Sequence, residues 1–236
     1  MTGVGTYSEF TMIIEAIGKS LPMAVGVALS PIPVAAVIMI LMAAQARTSA
    51  PAFLLGWMLG ILTVGFIVFL VPGIDTARGE PTTLSGLIRI VLGIALLLLC
   101  VRQWHRQRSA SNEHREVPKV LAHLDRMGVI QSSVTGFLLS SVHPKNLVLS
   151  AAGAATIDAS MLAPGAQVIA LLLFCAIASL TIATPVAGYF LVGPSAEAML
   201  RSWKDWLVKN NATMLTTLFF IFGALLISRG ITILAA

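Results

Sequence analysis

The chain has 236 residues, of which 57% are hydrophobic and only 11% charged, with a mean hydropathy of +0.92. So few charges cannot cover the surface of a soluble domain, which excludes that class. The net charge of +5 lies mostly in one inter-span loop and one short segment. That distribution marks membrane orientation and not nucleic-acid binding.

Residues 20–46, 48–74, 159–196 and 210–228 contain no Asp, Glu, Lys or Arg. Each run matches or approaches the roughly 20 residues that a spanning helix needs. Two more spans fit at about 84–101 and 132–155. The expected fold is an all-α polytopic membrane protein with about six spans.

The N-terminus opens with Glu9 and Glu15 instead of a basic region, and its first apolar run is too long for a cleaved leader. Residues 7–19 read as a short helix on the membrane surface. Span 1 runs from Leu21 to Ala44 and is interrupted at Ser30-Pro31-Ile32-Pro33. Span 2, Pro51 to Val71, carries Gly56, Gly60 and Gly65, which permit close helix contact. A loop rich in Gly, Pro and charge follows from Pro72 to Thr83. Span 3 covers Leu84 to Val101, with Arg89 placed to snorkel outward.

The longest hydrophilic segment is Arg102 to Gln131. Within it, Pro118 followed by Val120, Leu121, Leu124 and Met127 reads equally as an interfacial helix or as part of a solvated linker. Span 4, Ser132 to Ala155, is broken near His143-Pro144. Span 5 extends from Pro164 to Val192, with Pro185 as a kink or an end. Ser195 to Asn211 is amphipathic, with Trp203, Trp206 and Leu207 among Arg201, Lys204 and Lys209, a pattern suited to the headgroup region. Span 6 covers Ala212 to Leu234. Loops 1–2, 3–4 and 5–6 hold about ten Lys and Arg, so the positive-inside rule places them in the cytoplasm and both termini outside.

The prolines carry an internal repeat. Pro31, Pro51, Pro72 and Pro81 recur as Pro144, Pro164, Pro185 and Pro194, each 113 residues on. The expected organisation is a three-span repeat over 1–101, a cytoplasmic basic linker over 102–131 and a second three-span repeat over 132–236. Three spans per half would make the second repeat inverted, as in many secondary transporters. The register weakens after Pro194, where Ser195–Asn211 reads as an insertion.

The offset places Ser30-Pro31 opposite His143-Pro144, each a cap-type residue followed by proline at a first helical position. A helix start in mid-span means a broken helix, which must face protein or a wet cavity. Two such ends would carry partial positive charge to a common point and bind anions. The candidate binding residues are Ser30, Pro31, Pro33, Ser140, Ser141, His143, Pro144, Lys145 and Asn146. Lys145 adds a full positive charge or, in its duller role, snorkels or bonds a backbone carbonyl. His143 is either a packing residue or a proton-coupling group. Ser30, Pro31 and Pro33 serve equally to kink a helix, and Asn146 would tie the break to the other half.

Cys100 and Cys175 both fall in spans, with no paired cysteines and no Cys/His cluster, so neither a metal site, a cofactor nor thiol chemistry is indicated. Intramembrane carboxylates are too few for a hydrolase or transferase, and an enzyme is not expected.

Ala28-Leu29-Ser30-Pro31-Ile32-Pro33, Ala46-Arg47 and Phe53-Leu54-Leu55-Gly56-Trp57 resemble the first half of the GAP family, the glycopeptidolipid- and sulfolipid-addressing proteins of actinobacterial envelopes. Leu124-Asp125-Arg126-Met127, Gly136-Phe137-Leu138-Leu139-Ser140 and Pro144-Lys145-Asn146-Leu147 resemble its second half. That family is similar to the lysine-exporter superfamily, with its six spans and Asn-Pro-Lys motif. Here His143 stands where that motif has Asn. The resemblance implies export of envelope glycolipids, or assistance to it. Two functions follow as expectations. One is a plasma-membrane exporter or flippase-like transporter of an anionic amphiphile or small anion. The other is a non-transporting accessory protein docked on a larger lipid exporter through residues 102–131 and the Trp203/Trp206 segment. The partners implied are membrane lipids, an anionic lipid or small anion, and a second copy or a larger export complex.

Overall fold

The computed structural model describes residues 3–70, 83–109, 127–192 and 197–235. These form eight helices: α1 (Gly3–Ala28), α2 (Pro31–Leu41), α3 (Ala46–Leu70), α4 (Thr83–Ser109), α5 (Val129–Ser141), α6 (Pro144–Asp158), α7 (Pro164–Val192) and α8 (Glu197–Ala235). Four stretches are long and apolar enough to cross a membrane: Glu9–Ala28, Ala46–Leu70, Pro164–Leu191 and Thr216–Ala235. Pro31–Leu41 and Ile90–His105 are shorter apolar helices. The chain is an all-α, multi-pass membrane protein.

The expected breaks lie where the two proline motifs stand. α1 ends at Ala28 and α2 starts at Pro31, while α5 ends at Ser141 and α6 starts at Pro144. Pro31 and Pro144 both occupy the first helical turn, where their missing N–H has no intrahelical role. The short helices that follow the breaks form the centre of the molecule. α2 is apolar all round, and nine of its residues are buried, as befits a helix enclosed by others. α6 buries Leu149, Ala152, Ala154 and Ile157 together with Lys145 and Asn146.

Three boundaries differ from the sequence reading. Residues 7–19 are not a separate surface helix, because the helix runs unbroken to Ala28. Ala16, Ser20, Met23, Ala24 and Val27 are buried along one continuous face, and the charges of Glu15 and Lys19 pair on the exposed side at 2.7 Å. Ser195–Asn211 is likewise not separated from the last span, since Glu197 onward continues as one 39-residue helix. No Gly or Pro interrupts it before Gly223. Arg102 to Ser109, read as linker, extends α4, and Gln131 belongs to α5. The helix expected after Pro118, the loop after Pro72, and Pro81 and Pro194 lie outside the described residues. Pro185 neither ends nor breaks α7.

α3 packs on α5, α1 on α6 and α7, and α4 on α8. Small residues set these approaches, since in lipid they let backbones come close. A Cβ on Gly56 would fall onto the Ser133 carbonyl, and one on Gly136 onto that of Phe53. Gly60 faces the Ser140 hydroxyl and Gly65 the Leu171 side chain. Between α4 and α8, a Cβ on Gly93 would stand 2.8 Å from the Gly223 oxygen and one on Gly223 3.0 Å from that of Gly93. Gly86 and Gly230 face each other in the same antiparallel register.

Candidate functional site

The first turn of α6 holds the two breaks together. Lys145 is 1% exposed. Its ammonium donates to the carbonyl oxygens of Gly26 (2.8 Å) and Leu29 (3.1 Å). These carbonyls belong to the last turn of α1 and the residue after it, where helix geometry leaves them without an N–H partner and the dipole is negative. Lys145 thus caps α1 from the other half of the chain. The Ala28 carbonyl between them accepts the Ser30 N–H at 2.8 Å and the Thr181 hydroxyl of α7.

Asn146, fully buried, serves both breaks. Its amide donates to the Leu139 carbonyl near the end of α5 at 2.8 Å. Its Oδ1 accepts the Ser30 hydroxyl at 2.7 Å. Ser30 stands at the N-cap position of α2 and makes no side-chain cap bond, while its hydroxyl donates across the seam to Asn146. Ser30-Pro31 is thus the helix start that its sequence indicates. Little is left to cap. With Pro31 and Pro33 at the first and third helical positions, Ile32 supplies the only backbone N–H among the first three residues of α2.

The remaining candidates do not all converge. Ser140 and Ser141 both donate back to the Phe137 carbonyl, at 2.9 and 2.7 Å, and so serve the end of α5. Pro31 and Pro33 are buried in the first turn of α2, while Pro144 is exposed. His143 is the N-cap residue of α6, and its buried Nδ1 has no hydrogen-bond partner among the described residues. No group of three or more His, Cys, Asp or Glu able to hold a metal occurs among the described residues.

A cavity of about 580 Å³ adjoins the first break. Leu29, Ser30, Pro31 and Val34 form one wall. Thr181 and Thr184 of α7 and Trp203, Trp206 and Met214 of α8 complete it. Sequence reasoning missed Thr181 and Thr184, and read the tryptophans only as interface residues. The one signal for Thr181 is its place four residues before Pro185, whose missing N–H leaves the Thr181 carbonyl without its usual intrahelical bond.

The arrangement is a buried cation and a buried amide at the seam between two broken helices, beside an uncharged cavity. A family model described as Sap, sulfolipid-1-addressing protein, matches residues 21–232. The chain belongs to this family. The match contains both breaks and every candidate residue named above. No curated protein matches significantly, and no solved structure does.

Proposed function

We propose that the protein is a flippase-like exporter of an anionic amphiphile of the cell envelope, or of a small anion, working by alternating access around the seam between α1–α2 and α5–α6. The observation that carries this reading is Lys145, a fully buried ammonium held by backbone carbonyls of the opposite half. Ionisable groups at membrane depth are costly and mark substrate pathways. Among the described residues no side-chain carboxylate is bonded to this ammonium, so a sulfate, phosphate or carboxylate head displaces neutral carbonyls there. The N-terminus of α6, with the N–H groups of Lys145 and Asn146, favours the same charge. His143, two residues before Lys145, is the group proposed to couple proton movement.

Alternating access fits a chain of six spans built as two inverted repeats, α1–α4 and α5–α8. The packing supports that reading. Exchanging the halves turns the α3–α5 contact into the α7–α1 contact and maps α4–α8 onto itself. Both termini are proposed outside, with 102–131 cytoplasmic, by the positive-inside rule. Kinship with lysine-exporter proteins belongs to the same proposal. The family's description, sulfolipid addressing, supports the choice of an envelope lipid.

The test is translocation of a fluorescent anionic lipid in proteoliposomes, with wild type and Lys145→Ala compared at equal insertion. Wild type is expected to carry the label and the variant to lose it. A second reading, a non-transporting accessory protein of a lipid-export complex, draws on the exposure of Trp203 and Trp206, 41% and 57%. Correctly inserted wild type that moves neither lipids nor small anions would decide for it.

A further inference from the structure

The cavity beside the first break differs in chemistry from the Lys145 seam. None of its lining side chains carries a charge, and its walls are mostly apolar. Four hydroxyls reach it, the exposed Ser202 among them, and the other three give their protons elsewhere. Ser30 donates to Asn146, Thr181 to the Ala28 carbonyl and Thr184 to the Leu180 carbonyl. Apart from these and Ser202, the lining is carbon from Leu29, Pro31, Val34 and Met214 and two indole rings. Pro31 and Pro33 withhold the N–H groups that would make an anion site of this helix end.

Its depth is apolar too. Thr181 and Thr184 lie within the apolar stretch Pro164–Leu191, and Val34 within Pro31–Leu41. Trp203, Trp206 and Met214 precede the apolar stretch Thr216–Ala235, so the cavity extends from that depth toward the headgroup level, and its apolar inner walls favour hydrocarbon. Trp203 and Trp206, three apart on α8, supply rigid flat walls that lose little freedom on contact. The cavity also adjoins the cation. Leu29 lines it, while the Leu29 carbonyl holds the Lys145 ammonium at 3.1 Å.

We propose that this cavity holds a hydrocarbon chain of the cargo, placing the chain beside the first break while the anionic head engages Lys145. The assignment rests on the exporter reading above and adds to it a chain site distinct from the charge site. The cargo is then an amphiphile and not a small anion.

The test uses a fatty acid brominated in mid-chain, which quenches indole emission on contact. The full-length protein is held in nanodiscs of unbrominated phosphatidylcholine. Trp57 is packed in the core and Trp104 is exposed far along the chain, and both contribute background, so the signal is read as the difference between wild type and Trp203→Phe/Trp206→Phe. Saturable quenching is expected, most of it absent from the double variant and reversed by the unbrominated acid. Thr184→Phe fills the cavity, and the Thr184 hydroxyl donates only within its own helix. It should raise the half-saturating concentration about tenfold, the effect of excluding roughly two methylenes. Quenching that rises without saturation would overturn the proposal, since bulk lipid or a cavity filled by bilayer chains gives that response. So would saturable quenching untouched by Thr184→Phe. The result separates from the exporter question. Binding without translocation leaves the chain site standing and removes the exporter. Translocation without saturable quenching removes the chain site alone.

Discussion

The break after Ala28 and the break after Ser141 share a local design and differ in what they offer. In each, a non-helical residue precedes a proline that starts a short buried helix. The second break presents Lys145 and Asn146 in its first turn. The residues 113 positions earlier are Ile32 and Pro33, which have no side-chain donor. One turn of α6 therefore serves both breaks: Lys145 reaches the Gly26 carbonyl and Asn146 reaches that of Leu139. Those two carbonyls are themselves 113 residues apart. The first half supplies acceptors and an apolar cavity, and the second half supplies the donors. Two breaks alike in backbone can thus divide the recognition of one amphiphile between head and chain.

The largest way to break this asymmetry is Lys145→Met. It leaves the Gly26 and Leu29 carbonyls without their donor, away from water. Each buried unpaired acceptor costs about 1–3 kcal/mol, so a loss of roughly 2–4 kcal/mol is expected in denaturant unfolding from detergent micelles, together with loss of translocation. Lys145→Arg keeps charge and donors and should recover part of both. Destabilisation below about 0.5 kcal/mol would show that α1 ends well without its cap from α6.

Next in size is Asn146→Leu, which removes the bonds to Ser30 and to Leu139 together and should cost about 1–3 kcal/mol. Asn146→Asp separates the two breaks. A carboxylate still accepts from Ser30 but cannot donate to the Leu139 carbonyl. Amide exchange should then rise at the end of α5 and stay unchanged around Ser30. Exchange rising equally at both ends would mean that Asn146 acts as a single clamp.

The sequence located both breaks because a cap-type residue followed by proline acts locally. Gly56 and Gly60 were legible for a related reason: small residues four apart on an apolar helix have a packing role wherever the partner lies. The sequence allows Lys145 a backbone carbonyl as one alternative and has Asn146 tie the break to the other half, but it does not name the acceptors. Lys145 is held by backbone carbonyls of Gly26 and Leu29, and a carbonyl carries no residue signature. The seven-residue spacing of Gly86 and Gly93 matches that of Gly223 and Gly230, but it means contact only once α4 and α8 are known to run antiparallel. Glu15 and Lys19 concealed the true length of α1, because an ion pair on an exposed helix face reads in sequence as the edge of a span.

Ser30→Ala tests the only hydrogen bond between two side chains that joins the two breaks among the described residues. The expected loss is about 1 kcal/mol, and a double-mutant cycle with Asn146→Ala should return a coupling of roughly 0.5–1.5 kcal/mol. A coupling near zero would mean that the halves are held by Lys145 and packing, with the Ser30 hydroxyl incidental.

The smallest effect, and the sharpest on the comparison, is expected from Pro33→Ala. It restores a backbone N–H at the third helical position of α2, the position that a cap-residue oxygen normally accepts from. Ser30 can accept that N–H while still donating to Asn146, because a hydroxyl does both. The gained cap opposes the lost rigidity of proline, about 0.4–1 kcal/mol through the unfolded chain. The two terms are of similar size, so stability should change by no more than about 0.5 kcal/mol. The new amide at residue 33 should nonetheless be protected from exchange. Protection with the Ser30–Asn146 coupling intact would show that the first break lacks only donors. If the coupling falls as protection appears, the two bonds compete, and Pro33 is what keeps the Ser30 hydroxyl turned toward the other half.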